Sequence, residues 1–248
     1  MAEFLDVVFN IPVDQRFTYD PSGNLVSVTD ALGNLTPLGL LASEPTAVSP
    51  GLWRQLAVQL SARQEWPASL ALFEASLQAG PRTAEPGGKP DEDVAALLVY
   101  LEIGRLALLT QDFAKSADYF GRVRDALEQP ERLAENEAVK NALLGQADRT
   151  YRLMAEGFYQ AGRYDDAEAL YRRAYQQPTG KDNPGLLGFY LARLAAKRGQ
   201  TEAALQHLDT YFAVPSSAAG IEPYELLAEL VGCAEPDQAA VNAQLQSR

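Results

Sequence analysis

The stretch DRTYRLMAEGFYQAGRYDDAEALYRRAYQQP, Asp148 to Pro178, decides the fold. At a helical period Tyr151, Met154, Ala155 and Phe158 fall on one face of a first helix, and Ala167, Leu170, Tyr171 and Ala174 on one face of a second. Gly162 stands between the two apolar series. A glycine can end a helix in a left-handed conformation at little steric cost, so the spacing predicts two helices folded back as an antiparallel hairpin. Ala155 and Ala167 leave room where the helices cross, while Tyr151, Phe158 and Tyr171 supply bulk around the crossing.

One hairpin leaves a second apolar face uncovered, so neighbours of the same kind are expected. Trp53, Leu56, Ala57, Leu60, Trp66, Ser69, Phe73, Ser76 and Pro81 keep the spacing, with Gln64 at the turn. Tyr100, Ile103, Gly104, Ala107, Phe113, Ser116, Phe120 and Val123 keep it again, with Gln111 at the turn. In a degenerate fourth unit Leu191, Ala192, Ala195, Gly199, Ala204 and Leu208 agree, but Tyr211 replaces a small residue and Gly188 replaces the first aromatic. The units span about 50–81, 97–130, 148–178 and 185–213.

This pattern resembles the tetratricopeptide repeat, a unit of about 34 residues with spaced aromatic and small residues, a turn glycine and a closing proline. The resemblance implies an all-α, antiparallel helical-hairpin solenoid, in which the first helix of each hairpin lines a concave face that binds a partner segment. The lining positions on this chain are Arg54, Arg105, Arg149, Arg152, Tyr159, Phe189, Tyr190, Arg193 and Lys197. Six of them are cationic in a chain of net charge −12, which points to an acidic protein or peptide partner. The asparagine with which the clamp type of these proteins grips a peptide carboxylate is missing at the matching places.

Residues 1–48 differ in kind from the helical domain, 49–248. Phe4 to Val13, Arg16 to Tyr19, Leu25 to Thr29 and Leu35 to Leu38 are strand candidates, separated by Gly-Asn turns. Within them YDPSGNLVSVTDALGNLT, Tyr19 to Thr36, resembles one unit of the Rhs or YD repeat and implies a β-hairpin. The expectation is a small β cap with a linker, covering the end of the helical array. A sharper alternative is a ribbon whose edges accept a strand from another chain.

Further along, GPRTAEPGGKPD, Gly80 to Asp91, reads as a loop, and its Gly-Gly-Lys lacks the spacing and preceding strand of a phosphate-binding loop. Arg132 to Gln146 either lengthens the first helix of the third unit backwards or forms an extra helix. One or two terminal helices are expected within 223–247.

Little else in the chain suggests chemistry. A single cysteine, Cys233, excludes an internal disulfide and a cysteine-based metal motif. A single histidine, His207, falls inside a repeat and leaves no spare base for a triad. Asp165 and Asp166 are first-turn acids that suit a helix dipole. No catalytic residue, metal or cofactor is therefore expected. The acidic balance argues against nucleic acid and anionic membranes as partners. No apolar run reaches membrane-spanning length, and the amino terminus has acids where a secretion signal needs lysine or arginine, so the expected location is cytoplasmic. Three classes stay open: an adaptor using the concave face, a structural subunit held through the β segment and outer faces, and a regulatory module cut from a longer enzyme. Oligomeric state is open as well.

Overall fold

The computed structural model describes residues 16–19, 25–29, 35–37, 50–78, 96–133, 136–178, 184–214 and 219–232. They fall into two compact units, 1–145 and 146–248.

In the first unit, strands β1 (Arg16–Tyr19), β2 (Leu25–Thr29) and β3 (Leu35–Pro37) form an antiparallel meander in the order β1-β2-β3. Phe17 pairs with Val28 and Val28 with Thr36, and the register shifts between Thr18 and Tyr19. A cap closing the helical array is not supported: the described strands pair among themselves, and the expected strand at Phe4 to Val13 lies outside the described residues. The loop expected at Gly80 to Asp91 lies outside them too.

The helices of this unit are α1 (Pro50–Ala62), α2 (Trp66–Gln78), α3 (Ala96–Leu109), α4 (Phe113–Leu127), α5 (Pro130–Leu133) and α6 (Glu137–Leu144). Pairs α1/α2 and α3/α4 are the two hairpins, and α2 packs on α3. The core formed there consists of Ala57, Val58, Leu70, Phe73, Val99, Ile103 and Leu106, with Trp66, Leu72, Leu77 and Tyr119 around it. Lys115 on α4 adds an ion pair to Glu74 on α2 at 2.9 Å. Of the two expectations for Arg132 to Gln146, the extra helix is found. Asn136 caps α6 by accepting from the Val139 N–H at 3.1 Å, and buried Leu143 accompanies packing of α6 on α3.

The second unit contains α7 (Ala147–Gln160), α8 (Tyr164–Gln176), α9 (Pro184–Lys197), α10 (Thr201–Phe212) and α11 (Glu222–Leu230). Pairs α7/α8 and α9/α10 are again hairpins, α8 packs on α9, and α11 on both α10 and α9. The terminal-helix expectation beyond residue 232 lies outside the described residues.

Each hairpin turn has the same backbone solution. Gln64, Gln111, Gly162 and Gly199 have φ of 64°, 62°, 75° and 71°. At each, the N–H of the left-handed residue and the next N–H reach back to carbonyls of the preceding turn. Gly162 donates to Tyr159 at 3.0 Å and Arg163 to Phe158 at 2.8 Å, just as Gln64 donates to Ser61 at 3.0 Å and Glu65 to Leu60 at 2.9 Å. These bonds satisfy carbonyls that a helix end otherwise leaves orphaned.

Small residues set the crossing. Ala57, Ala155 and Ala192 are fully buried in first helices, as are Ser69, Ser116, Ala167 and Ala204 in second helices. The two serines place a hydroxyl where water is excluded and satisfy it across the hairpin. Ser69 Oγ donates to the Ala57 carbonyl at 2.7 Å, and Ser116 Oγ to the Gly104 carbonyl at 2.9 Å. A Cβ at Gly104 would lie 2.5 Å from the Phe120 ring, so no larger residue fits that crossing without a shift.

Candidate interaction surface

The expected lining residues divide between the two units. Arg54 and Arg105 stand on α1 and α3, and Arg54 is half-buried. Arg105 donates from Nε to Glu102 Oε2 at 2.9 Å and from Nη2 to Ser61 Oγ on α1 at 2.8 Å. Its guanidinium therefore joins the first helices of two hairpins.

The second unit gathers the rest on α7 and α9. Arg193 forms a forked pair with Glu156, Nη1 to Oε2 at 3.0 Å and Nη2 to Oε1 at 3.1 Å. Glu156 also accepts from the Tyr171 hydroxyl at 2.7 Å, and the Arg193 guanidinium lies 4.3 Å from the Tyr159 ring centroid. Burial alone would raise the Glu156 carboxyl, but Arg193, Tyr171 and Gln160 outweigh it and hold it below its ordinary value. Burial opposes the Arg193 charge, and the bonds to Glu156 more than restore it, raising that guanidinium. Burial, followed by the neighbouring Glu156 charge, pushes the Tyr171 phenol up. The cluster is a charge-neutral junction between two hairpins, made of paired groups.

Around this junction aromatic rings pack in series. Tyr190 stacks on Tyr171 with centroids 4.3 Å apart and planes 8° apart. Phe189, 3% exposed, touches Tyr190 and Tyr211 and belongs to the core, not to an open face. Tyr159 is similarly buried beneath Arg193.

One turn earlier on α7, Arg152 donates from Nη2 to Asp148 Oδ2 at 2.9 Å and from Nε to the Asp148 carbonyl at 3.3 Å. Arg149 is exposed and donates to Gln146 Oε1 at 2.8 Å. Lys197, in the last turn of α9, is exposed. Of the expected lining cations in this unit, Arg149 and Lys197 are thus the most open, with Arg152 partly open. Immediately after Lys197, Arg198 joins α8 through Glu168 at 2.7 Å and Asp165 at 2.5 Å. Asp165 therefore serves a contact between hairpins as well as the first turn of α8.

Tyr171, Tyr175 and Arg198 were not among the expected site residues. One signal for the junction was present in the sequence: Arg105, Glu156 and Arg193 each stand five residues after the position of the first aromatic, and Glu156 and Arg193 carry opposite charges in neighbouring units. Among the described residues, no group of three or more His, Cys, Asp or Glu side chains is placed to hold a metal ion. Nor is any helix there long and apolar enough to cross a membrane.

The fold and this face define a module of antiparallel helix pairs, two in each unit, one packed on the other. The tetratricopeptide repeat family matches residues 158–214, from the end of α7 through α10. That segment contains the two glycine hairpin turns, at Gly162 and Gly199, and both partners of the Arg198 bridge to α8. Tetratricopeptide repeats generally mediate contacts between proteins and are generally non-catalytic. No curated protein matches the sequence.

Proposed function

We propose that this protein is a non-catalytic adaptor or assembly subunit, and that the inner faces of its first helices bind a segment of a partner protein. The observation that carries the reading is the repeated hairpin itself, with half-buried Arg152, Tyr190 and Arg193 on α7 and α9, of which α9 lies inside the tetratricopeptide match and α7 runs into it. Half-buried aromatic groups suit recognition, because they offer large contact area with little rotamer entropy to lose, and a guanidinium adds forked hydrogen bonding. An acidic partner segment remains the favoured kind. Since Arg193 is already paired with Glu156 and Arg152 with Asp148, its attraction falls first to Arg149 and Lys197.

A second reading makes the protein a structural subunit. The three-stranded meander has β1 and β3 as its edges, and edges of short sheets accept further strands.

Affinity capture from a lysate at low and high salt, followed by mass spectrometry, separates the two readings. Arg149→Glu with Lys197→Glu should remove a salt-sensitive partner, since exposed charges are screened within about 8 Å at physiological ionic strength. Removal of residues 1–40 should leave that partner bound. The reverse pattern would overturn the concave-face reading.

A further inference from the structure

Tyr175 closes the last turn of α8 and lies against two other elements. Its ring centroid is 6.3 Å from that of Tyr190 on α9, and the Arg152 guanidinium of α7 adjoins both phenols. Tyr175 is 9% exposed, and its hydroxyl is buried without a hydrogen-bond partner. Arg152 does not resolve this, because a guanidinium has only donors. It can approach the phenol oxygen, but it cannot accept the phenol hydrogen. A buried O–H without an acceptor is a group that native structures rarely leave so.

The surroundings are rich in donors and short of acceptors. Asp148 takes Nε and Nη2 of Arg152 through its carbonyl and carboxylate, which leaves Nη1. Tyr190 adds a second hydroxyl within the same group of rings. Three helices thus bring a guanidinium edge and two phenols together, and although the Asp148 carboxylate is near, the Tyr175 hydroxyl finds no acceptor. Asp148 offsets Arg152, so the charges nearest Tyr175 balance. A singly charged carboxylate meets less repulsion from Asp148 than a phosphate dianion would.

We propose that Arg152, Tyr175 and Tyr190 form a carboxylate subsite that seats an Asp or Glu side chain of the partner segment. The proposal rests on the concave-face reading above and names the chemistry of one contact within it. The incoming carboxylate accepts from Arg152 Nη1 and from the two hydroxyls. Asp148 keeps hold of the guanidinium's other edge as the carboxylate enters.

Substitution of the phenols separates this role from a packing role. Tyr175→Phe removes a hydroxyl without an acceptor, so the melting temperature should be unchanged or higher, and Tyr190→Phe should fold equally well. The probe is a fluorescein-labelled peptide rich in Asp and Glu, compared by anisotropy with the same peptide carrying Asn and Gln. The full chain should bind the acidic peptide more tightly by about tenfold or more, and each Tyr→Phe change should weaken that binding by about five- to twentyfold. Equal binding of the acidic and amide peptides would overturn the subsite while leaving the concave face intact as a binding surface. Undiminished acidic-peptide binding by Tyr175→Phe and Tyr190→Phe would overturn it as well, assigning the hydroxyl to water. A drop in melting temperature for Tyr175→Phe would do the same by revealing an internal acceptor. Failure of the wild-type chain to bind the acidic peptide counts against the subsite alone, because the capture experiment with Arg149→Glu and Lys197→Glu tests the face independently.

Discussion

Gly188 and Tyr211 exchange sizes relative to the other hairpins. A Cβ at Gly188 would lie 2.8 Å from the His207 carbonyl oxygen and 3.0 Å from the Tyr211 backbone nitrogen, so α9 and α10 meet backbone to backbone there. Tyr211, 2% exposed, sits where the other units carry Ser76, Val123 and Ala174, and packs on Phe189 at 5.9 Å. Gly188→Ala should therefore push the helices apart and cost about 1–3 kcal/mol. Gly121→Ala in α4 meets nothing within 4 Å and should raise stability by about 0.5–1 kcal/mol through helix propensity. Urea midpoints at constant m-value check both, and equal effects of the two changes would refute the close approach at Gly188.

The two glutamine turns carry strain that the glycine turns do not. Gln64 and Gln111 sit at φ of 64° and 62°, a region that a side chain with a Cβ disfavours by about 1–2 kcal/mol. Gln64→Gly and Gln111→Gly should each stabilise the first unit by about 1 kcal/mol, after the greater chain entropy of glycine in the unfolded state is subtracted. A higher thermal midpoint in each variant is the expected reading.

Tyr171 and Tyr175 differ by one turn of α8 but should respond oppositely to loss of the hydroxyl. Tyr171 donates to the Glu156 carboxylate at 2.7 Å, so Tyr171→Phe should cost about 1.5–3 kcal/mol, the range for a hydrogen bond to a charged group. Tyr175→Phe should cost nothing. Parallel denaturation of the two variants tests the contrast.

Acid should weaken the second unit in two steps. Burial, with the nearby Arg172 charge, holds His207 below its ordinary value of 6.5, so the unfolded chain takes up that proton first and stability falls as pH drops below 6.5. The Glu156 carboxyl is held below its ordinary 4.5, so its contribution is fully present above that value. It is lost as pH falls further, through the folded-state value. His207→Gln should flatten the upper part of a plot of melting temperature against pH, and Glu156→Gln the lower part.

Much of this protein was legible in one dimension. The hairpins follow from apolar residues at helical spacing and from a turn residue at a constant place, and both are local properties that hold wherever the segment lies. The charge balance, the lone Cys233 and the lone His207 likewise limit the chemistry through composition alone. Tertiary structure decided which cations are left for a partner. Arg193 finds Glu156 across 37 residues, and Arg105 finds Ser61 across 44, pairings that depend on how one hairpin seats on the next. It also decided that Gln64 and Gln111 hold a backbone geometry their own side chains disfavour, because packing of the helices on either side leaves the turn no other route. Periodicity tells which face of a helix is buried. Only the folded chain shows which distant side chain meets it there.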